Sequence, residues 1–275
     1  MTKNSAKQTT PSSHPGNNTD QLRPIIGFSR QGLGMANVPH SHFRAQLVHA
    51  ASGVMTITTS MGIWVTPPHQ GLWVPSGVEH HVRVYGPYTL KTLFFHPDAA
   101  PWMPPECRVV PVSPLLRELV IHACGFPPDY PVDGPEARVV AVILDLMRTA
   151  TVEPLHLPMP HDPRLAVVCR RLLENPADRS TLPELAERAG AADRTLLRLF
   201  HKETGLTFRV WRRQARLLAA LRKLAAGEPV SSVAPDLGYE SQSAFIAMFR
   251  RALGTTPGRY FSETEAARAS ACPDS

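Results

Sequence analysis

The chain has 275 residues, 43% of them hydrophobic, and a formal net charge of +6. That is enough apolar material for two ordinary domains, and a pI near 9.4 calls for an anionic partner. Cys107, Cys124, Cys169 and Cys272 show neither zinc nor disulfide spacing, and no run of 18 apolar residues occurs. These features exclude a disulfide-stapled scaffold and a membrane-spanning helix, and a cytoplasmic protein is expected.

Residues 1–22 begin "MTKNSAKQTTPSSHPGNNTD", without an apolar targeting core, and are expected to be a disordered polar tail. From Arg23 the chain alternates apolar with polar residues between Gly and Pro punctuation, as in "GVMTITTSMGIWVTPPHQGLWVPSGVEHHVRV". Short strands at this spacing predict a sheet closed into a small barrel or sandwich, with Met55, Trp64, Trp73 and Phe95 as core. Residues 113–125 and 135–150 switch to helical period and complete a unit over 23–150. The second of these helices has an apolar face broad enough to meet either its own barrel or a partner helix.

"GMANVPHSHFRAQLVHAASG" (34–53) spaces Gly34, His40, His42, Gln46 and Gly53 in a way similar to the first cupin motif, with Gln46 where glutamate is usual. "PSGVEH" (75–80) resembles the core of the second motif and supplies His80, while His69 and Val84 depart from its flanks. His40 and His42 at i, i+2 share one strand face. With Gln46 and His80 they form a neutral N/O set suited to a divalent transition metal ion such as Fe, Mn, Ni, Cu or Zn. The same residues also suit an ion-free polar pocket for a small molecule. His49, His69 and His81 have weaker claims, and Glu79 is expected to face away.

"TVEPLHLPMPHDP" is Pro-rich and aperiodic, so 151–162 reads as a linker. The basic surplus lies beyond it: residues 161–275 carry 18 Lys+Arg against 13 Asp+Glu, whereas 1–160 carry 11 against 10. Within 163–262 a pattern repeats. Ala186, Gly190, Phe200, Gly205 and Trp211 are echoed by Ala234, Gly238, Phe249, Gly254 and Tyr260, with one residue of slippage. A small residue, a turn glycine and a second helix with buried Leu or Phe predict two helix-turn-helix units. In the first reading helix, Asp193 is the expected cap, with Leu196, Leu199 and Phe200 inward and Arg194, Leu197, Arg198 and His201 outward. In the second, Ser241 caps, Ala244, Phe245, Met248 and Phe249 face inward, and Gln242, Ser243, Ile246, Ala247 and Arg250 face out. Between them, 207–227 predicts one helix of about 30 Å, close to the roughly 34 Å turn of B-DNA. Residues 263–275 are expected to be a tail.

On "LGY", "SAF", "FRRALG" and "TPGRYF", the last third of the chain resembles the DNA-binding domain of the AraC/XylS family of transcription regulators. Pro235 and Ala247 depart from that pattern, in the second unit's first helix and at a reading position. The resemblance implies that Arg194, Arg198, Gln242 and Ser243 contact bases of double-stranded DNA. It also implies dimerisation through the sensor or its trailing helices, and RNA polymerase as a further partner. The expected architecture is α+β multidomain: an N-terminal cupin-like β-barrel followed by helices, then an all-α domain of two helix-turn-helix units joined by a long helix. The expected function is sequence-specific regulation by a small-molecule or metal effector. A metal-dependent cupin enzyme, an oxygenase or isomerase, fused to a DNA-binding domain is the alternative, disfavoured because no separate acid or base is evident.

Overall fold

The computed structural model describes residues 15–17, 23–149, 156–253 and 255–261. The rest of the expected N-terminal tail, part of the expected linker, the 263–275 tail, Gly254 and Cys272 lie outside the described residues.

Among the described residues, seven strands form one antiparallel sheet: β1 (Ile25–Ala36), β2 (Ala45–Thr59), β3 (Gly62–Thr66), β4 (Gln70–Val74), β5 (His80–Phe95), β6 (Arg108–Pro111) and β7 (His156–Pro158). β5 runs between β1 and β2, and the far side of β2 is shared by β4 near its start and β3 at its end. The simple alternation expected from sequence holds along much of β5 but not along β2, which is buried on both faces from Ala45 to Ile57. The reason is that β2 faces three different clusters. Leu47 packs with the two helices that follow the sheet, Val48 and Ala50 point into the sheet's own interior, and Val54 joins the core of the helical domain. Met55 and Ile57 then return to the interior, so the inward positions change from even to odd. Register shifts between Ala50 and Val54, with Gly53 at φ +89°, supply the change. An extra residue in one strand reverses which side chains face in and bends the strand.

α1 (Pro114–Ala123) is capped by Ser113, whose hydroxyl accepts from Leu116 N at 3.2 Å. α2 (Pro135–Thr149) buries Val140, Ile143 and Met147 against α1 and the sheet, leaving Val142 44% exposed on its outer side. Much of the broad apolar face is therefore used within its own unit.

Two expectations about the connecting segments are corrected. Pro15–Asn17, within the expected disordered tail, form a 3-10 turn whose Gly16 is buried and accepts from Arg44 N at 3.0 Å. His156–Pro158, within the expected linker, pair with β3 as β7; Leu157 is fully buried and the His156 ring stacks on Trp64 at 4.5 Å. Burial of Leu157 and the aromatic stack outweigh the aperiodic, Pro-rich composition.

Among the described residues, six helices follow: α3 (Pro163–Glu174), α4 (Leu182–Arg188), α5 (Asp193–Thr204), α6 (Phe208–Ala225), α7 (Val230–Asp236) and α8 (Gln242–Leu253). The α4–α5 and α7–α8 pairs turn at Gly190 and Gly238, both with positive φ, as the repeat predicts. Pro235 does not shorten its helix: α7 continues one residue past it and has seven residues, as α4 does. α6 has 18 residues, about 27 Å, slightly less than expected. It carries Trp211, Ala215, Leu218 and Leu221 into the core of both pairs, and it also lies on the sheet. Trp211 Nε1 donates to Pro158 O at 2.8 Å, and a Cβ on Gly86 would stand 2.5 Å from Ala225 O.

Candidate functional site

The first candidate is the outer face of the two reading helices. On α5, Leu196, Leu199 and Phe200 are buried, while Arg194, Leu197, Arg198 and His201 are exposed, as the periodicity requires. The cap differs: Ala192 occupies the N-cap position and Asp193 is the first helical residue, where its charge meets the positive end of the helix dipole. On α8, Ser241 caps as expected, accepting from Ala244 N at 3.1 Å, and Phe245 and Phe249 are buried. Gln242, Ser243, Ala247 and Arg250 are exposed. Two positions depart from expectation. Ile246, expected outward, is half-buried, packing on the helical core while still edging the groove on the outer face, and Ala244, expected inward, is exposed. Both follow from α8 packing through Phe245 and Phe249, which rotates its buried stripe toward Ile246.

Ser243, Ile246, Ala247, Arg250, Arg251 and Thr256 line an open groove on this face. Arg251 was missed in sequence because it neighbours Arg250 on a helix whose outward arc was drawn too narrow. The face thus offers Arg, Gln and Ser groups, which suit base edges and phosphates.

The second candidate is the histidine cluster. His40 and His42 lie between β1 and β2, in a segment held to the start of β5 by paired backbone bonds between His40 and His80 at 3.1 and 2.9 Å. Gln46 is the second residue of β2. The ligand-competent atoms of His40, His42 and His80 all lie within 4.8 Å of one another, and Gln46 Oε1 stands 3.0 Å from both His42 Nε2 and His80 Nε2. The structure therefore brings together all four residues singled out in sequence. Gly16 closes over this cluster, since a Cβ there would meet His42 Cγ at 2.7 Å.

The three rings are oriented alike. His40 Nδ1 faces Val38 O at 3.1 Å, His80 Nδ1 faces Val78 O at 2.9 Å, and His42 Nδ1 faces Arg44 O. A carbonyl only accepts, so each Nδ1 carries the proton, and a neutral ring so held has its lone pair on Nε2. Burial holds the His42 pKa below its usual value, which favours that neutral form. His42 Nε2 then directs its lone pair at the amide oxygen of Gln46. A cation among the acceptors relieves that conflict, as does rotation of the Gln46 amide so that its NH2 faces the rings.

Beside the cluster opens a cavity of about 280 Å³ bounded by His40, Gln46, Arg30 and Asn37 and by apolar side chains including Phe28 and Phe94. Sequence reasoning missed Arg30 and Asn37, which lie outside any motif; only the fold places them there. Of the weaker histidines, His81 neighbours His80 and its pKa is lowered by burial and by the Arg83 and His40 charges, whereas His49 and His69 lie apart from the cluster. His49 is fully buried, with its pKa pushed down to about 4 by burial, and His69 sits against the Tyr260 ring at 5.7 Å. Glu79 is exposed.

Comparison with known proteins follows this geometry. The family description "Helix-turn-helix domain" matches residues 185–263. The chain is 36% identical over 236 residues to the HTH-type transcriptional regulator NimR of Escherichia coli K12, covering 86% of each. It is 38% identical over 103 residues to the HTH-type transcriptional regulator RipA of Corynebacterium glutamicum, covering 38% of this chain and 31% of that protein. It is 25% identical over 177 residues to the arabinose operon regulatory protein of Salmonella typhimurium, covering 62% and 57%. With two helix-turn-helix units and a relative matched along most of both chains, this protein belongs to the AraC family of DNA-binding transcriptional regulators.

Proposed function

We propose that the N-terminal sheet is a cupin-like sensor, that the cavity beside His40 and Gln46 takes a small-molecule effector, and that His40, His42, His80 and Gln46 hold a divalent transition metal ion. The observation that carries the metal reading is the shared ring orientation: a backbone carbonyl faces Nδ1 of each histidine, and the Nε2 atoms of His42 and His80 converge on Gln46 Oε1, with His40 within 4.8 Å of both rings' ligand atoms. Metal-bound histidines are positioned by such outer hydrogen bonds. His40, His42, His80 and Gln46 would hold the ion, which would supply a Lewis-acid contact to a ligand in the cavity.

The sensor acts in cis on the helical domain, and the protein works as a cytoplasmic homodimer on promoter DNA, with RNA polymerase as a further partner. The exposed Val142 side of α2 is the surface most suited to pairing. An enzymatic cupin is the weaker reading, because the groups bounding the cavity include Arg30, Asn37, Ser41 and Gln46 but no carboxylate among the described residues.

Elemental analysis of protein purified without chelator or affinity-tag metal tests the ion. About one equivalent per chain is expected, lost in His42→Ala while duplex binding by the helical domain persists. A chain that takes up no metal on reconstitution, yet answers a small molecule, establishes the rotated Gln46 amide and an ion-free pocket.

A further inference from the structure

A second cluster of cations lies away from the outer reading face. α6 carries Arg212 and Arg216 one turn apart, and the loop before α4 brings Arg179 beside them. With Tyr239, Glu240 and Ala244 they line a cavity of about 450 Å³ that opens at the first turn of α8. Each guanidinium is anchored along one edge by backbone carbonyls of the α3–α4 loop. Arg212 Nη1 donates to Ser180 O at 2.8 Å, and Arg216 Nε donates to Pro176 O at 2.9 Å.

The charges themselves are poorly compensated. Asp178, the nearest buried carboxylate, is already committed: Oδ2 to Arg171 Nε at 2.7 Å and Oδ1 to Ser180 N at 2.7 Å. Glu240 lies 3.8 Å from Arg179 with an 86% exposed side chain, a surface pair of little strength. Arg212 keeps Nε and Nη2 buried without a hydrogen-bond partner among the described residues. Burial and the neighbouring Arg216 charge push its pKa below the ordinary arginine value, and the Asp178 carboxylate, which acts the other way, only partly offsets them. Those two N–H groups are closed to solvent, so what Arg212 offers the cavity is its charge; with Arg216 beside it and Arg179 at the rim, three cations fixed by neutral carbonyls around one opening form a preorganised anion seat.

We propose that Arg212 and Arg216, with Arg179 at the rim, grip one backbone phosphate of the bound duplex. This rests on DNA binding by the helical domain. The location favours a DNA phosphate, because Ala244 on α8 borders both the cavity and the exposed reading arc, and turns at the start of a reading helix run beside the sugar-phosphate backbone. The contact positions the protein without reading sequence.

The test compares the wild-type full chain with Arg212→Gln on a selected operator and on random duplex across a salt series. The expected result is an affinity loss of about tenfold at 0.1 M salt on both duplexes, and a salt slope shallower by about one. Replacing phosphates singly by neutral methylphosphonates should reveal one position that weakens the wild type but leaves Arg212→Gln unaffected. Thermal unfolding of both proteins checks folding; if Arg212→Gln unfolds, Arg179→Gln at the exposed rim should still flatten the slope, and an unchanged slope there overturns the proposal. An unchanged slope and affinity in folded Arg212→Gln overturn it too, while wild-type preference for the operator leaves the regulator reading standing. Stabilisation of wild type but not Arg212→Gln by inorganic phosphate, with the DNA slope unaltered, assigns the seat to a free anion and likewise overturns it. A wild-type chain with no affinity for any duplex overturns the regulator reading and this contact together.

Discussion

Gln46 Oε1 and His80 Nε2 stand 3.0 Å apart although the strand pairing puts them at opposite ends of one ribbon. Gln46 pairs with Phe94, whereas His80 pairs with Thr59, thirteen residues further along β2. A straight strand of that length spans about 43 Å. The β2–β5 ribbon must therefore curl back on itself, and its register shifts around Gly53 are where the curl is made.

Gly53→Ala should damage the histidine cluster from a distance. The substitution forces a side chain into φ +89° and brings a Cβ to 3.0 Å from Pro87 O and 3.1 Å from Tyr88 Cβ. A loss of about 1–3 kcal/mol in unfolding free energy is expected, with weaker metal uptake. Denaturant titration and metal titration of the same sample check this. Full stability with full uptake would show that the curl does not depend on this residue.

Acid should destabilise the sensor through His49. Its pKa falls from 6.5 to about 4 because burial disfavours the charged ring. A histidine depressed in the folded state contributes its stability above the unfolded value near 6.5 and loses it as pH falls through the folded value. The loss amounts to roughly 3 kcal/mol between pH 7 and pH 4. His49→Leu should flatten that limb of the stability–pH curve, measured by urea unfolding at several pH values. A limb equally steep in the variant would assign the acid sensitivity elsewhere.

The two reading helices separate specificity from stability. Arg198→Ala, on the exposed arc of α5, should cost roughly 1–3 kcal/mol of discrimination at one or two base pairs if its guanidinium holds a guanine, with little change in unfolding. Phe249→Leu, fully buried behind the same face of α8, should lower stability by about 1–3 kcal/mol while leaving base preference intact. Binding to a base-substituted operator series, run beside thermal melts, distinguishes them; a swap of the two phenotypes would reverse the assigned faces.

Gly86→Ala should uncouple sensor from reader. Its φ is +67° and an added Cβ would meet Ala225 O at 2.5 Å, so the substitution strains β5 and forces α6 off the sheet. Proteolysis between the two parts should speed up, and any difference in operator affinity between effector-free and effector-loaded protein should shrink. Equal proteolysis and an undiminished response would show that this contact does not transmit.

Legibility in sequence followed the range of the interactions. The two helix-turn-helix units were readable because each depends on local spacing: Gly190 and Gly238 at the turns, and Phe200 and Phe249 at fixed distances beyond. His40, His42, Gln46 and His80 were readable as a motif, but nothing local shows that a curled ribbon brings Gln46 to His80. Ile246 and Ala244 were misplaced because the packing of α8 through Phe245 and Phe249, not helical period alone, sets its rotation. β7 was missed because Leu157 and His156 become strand residues only once β3 is there to pair with them.

α6 is at once the rod that separates the two readers and the face that rests on the sheet. The two readers therefore do not hold an independent calibration. Turning a 27 Å rod by about 10° carries its far end roughly 5 Å, more than one base step along the duplex axis. A change in the sheet beneath α6 would therefore reset the gauge between the two reading heads, and the spacing they fit would be set by what the rod is mounted on.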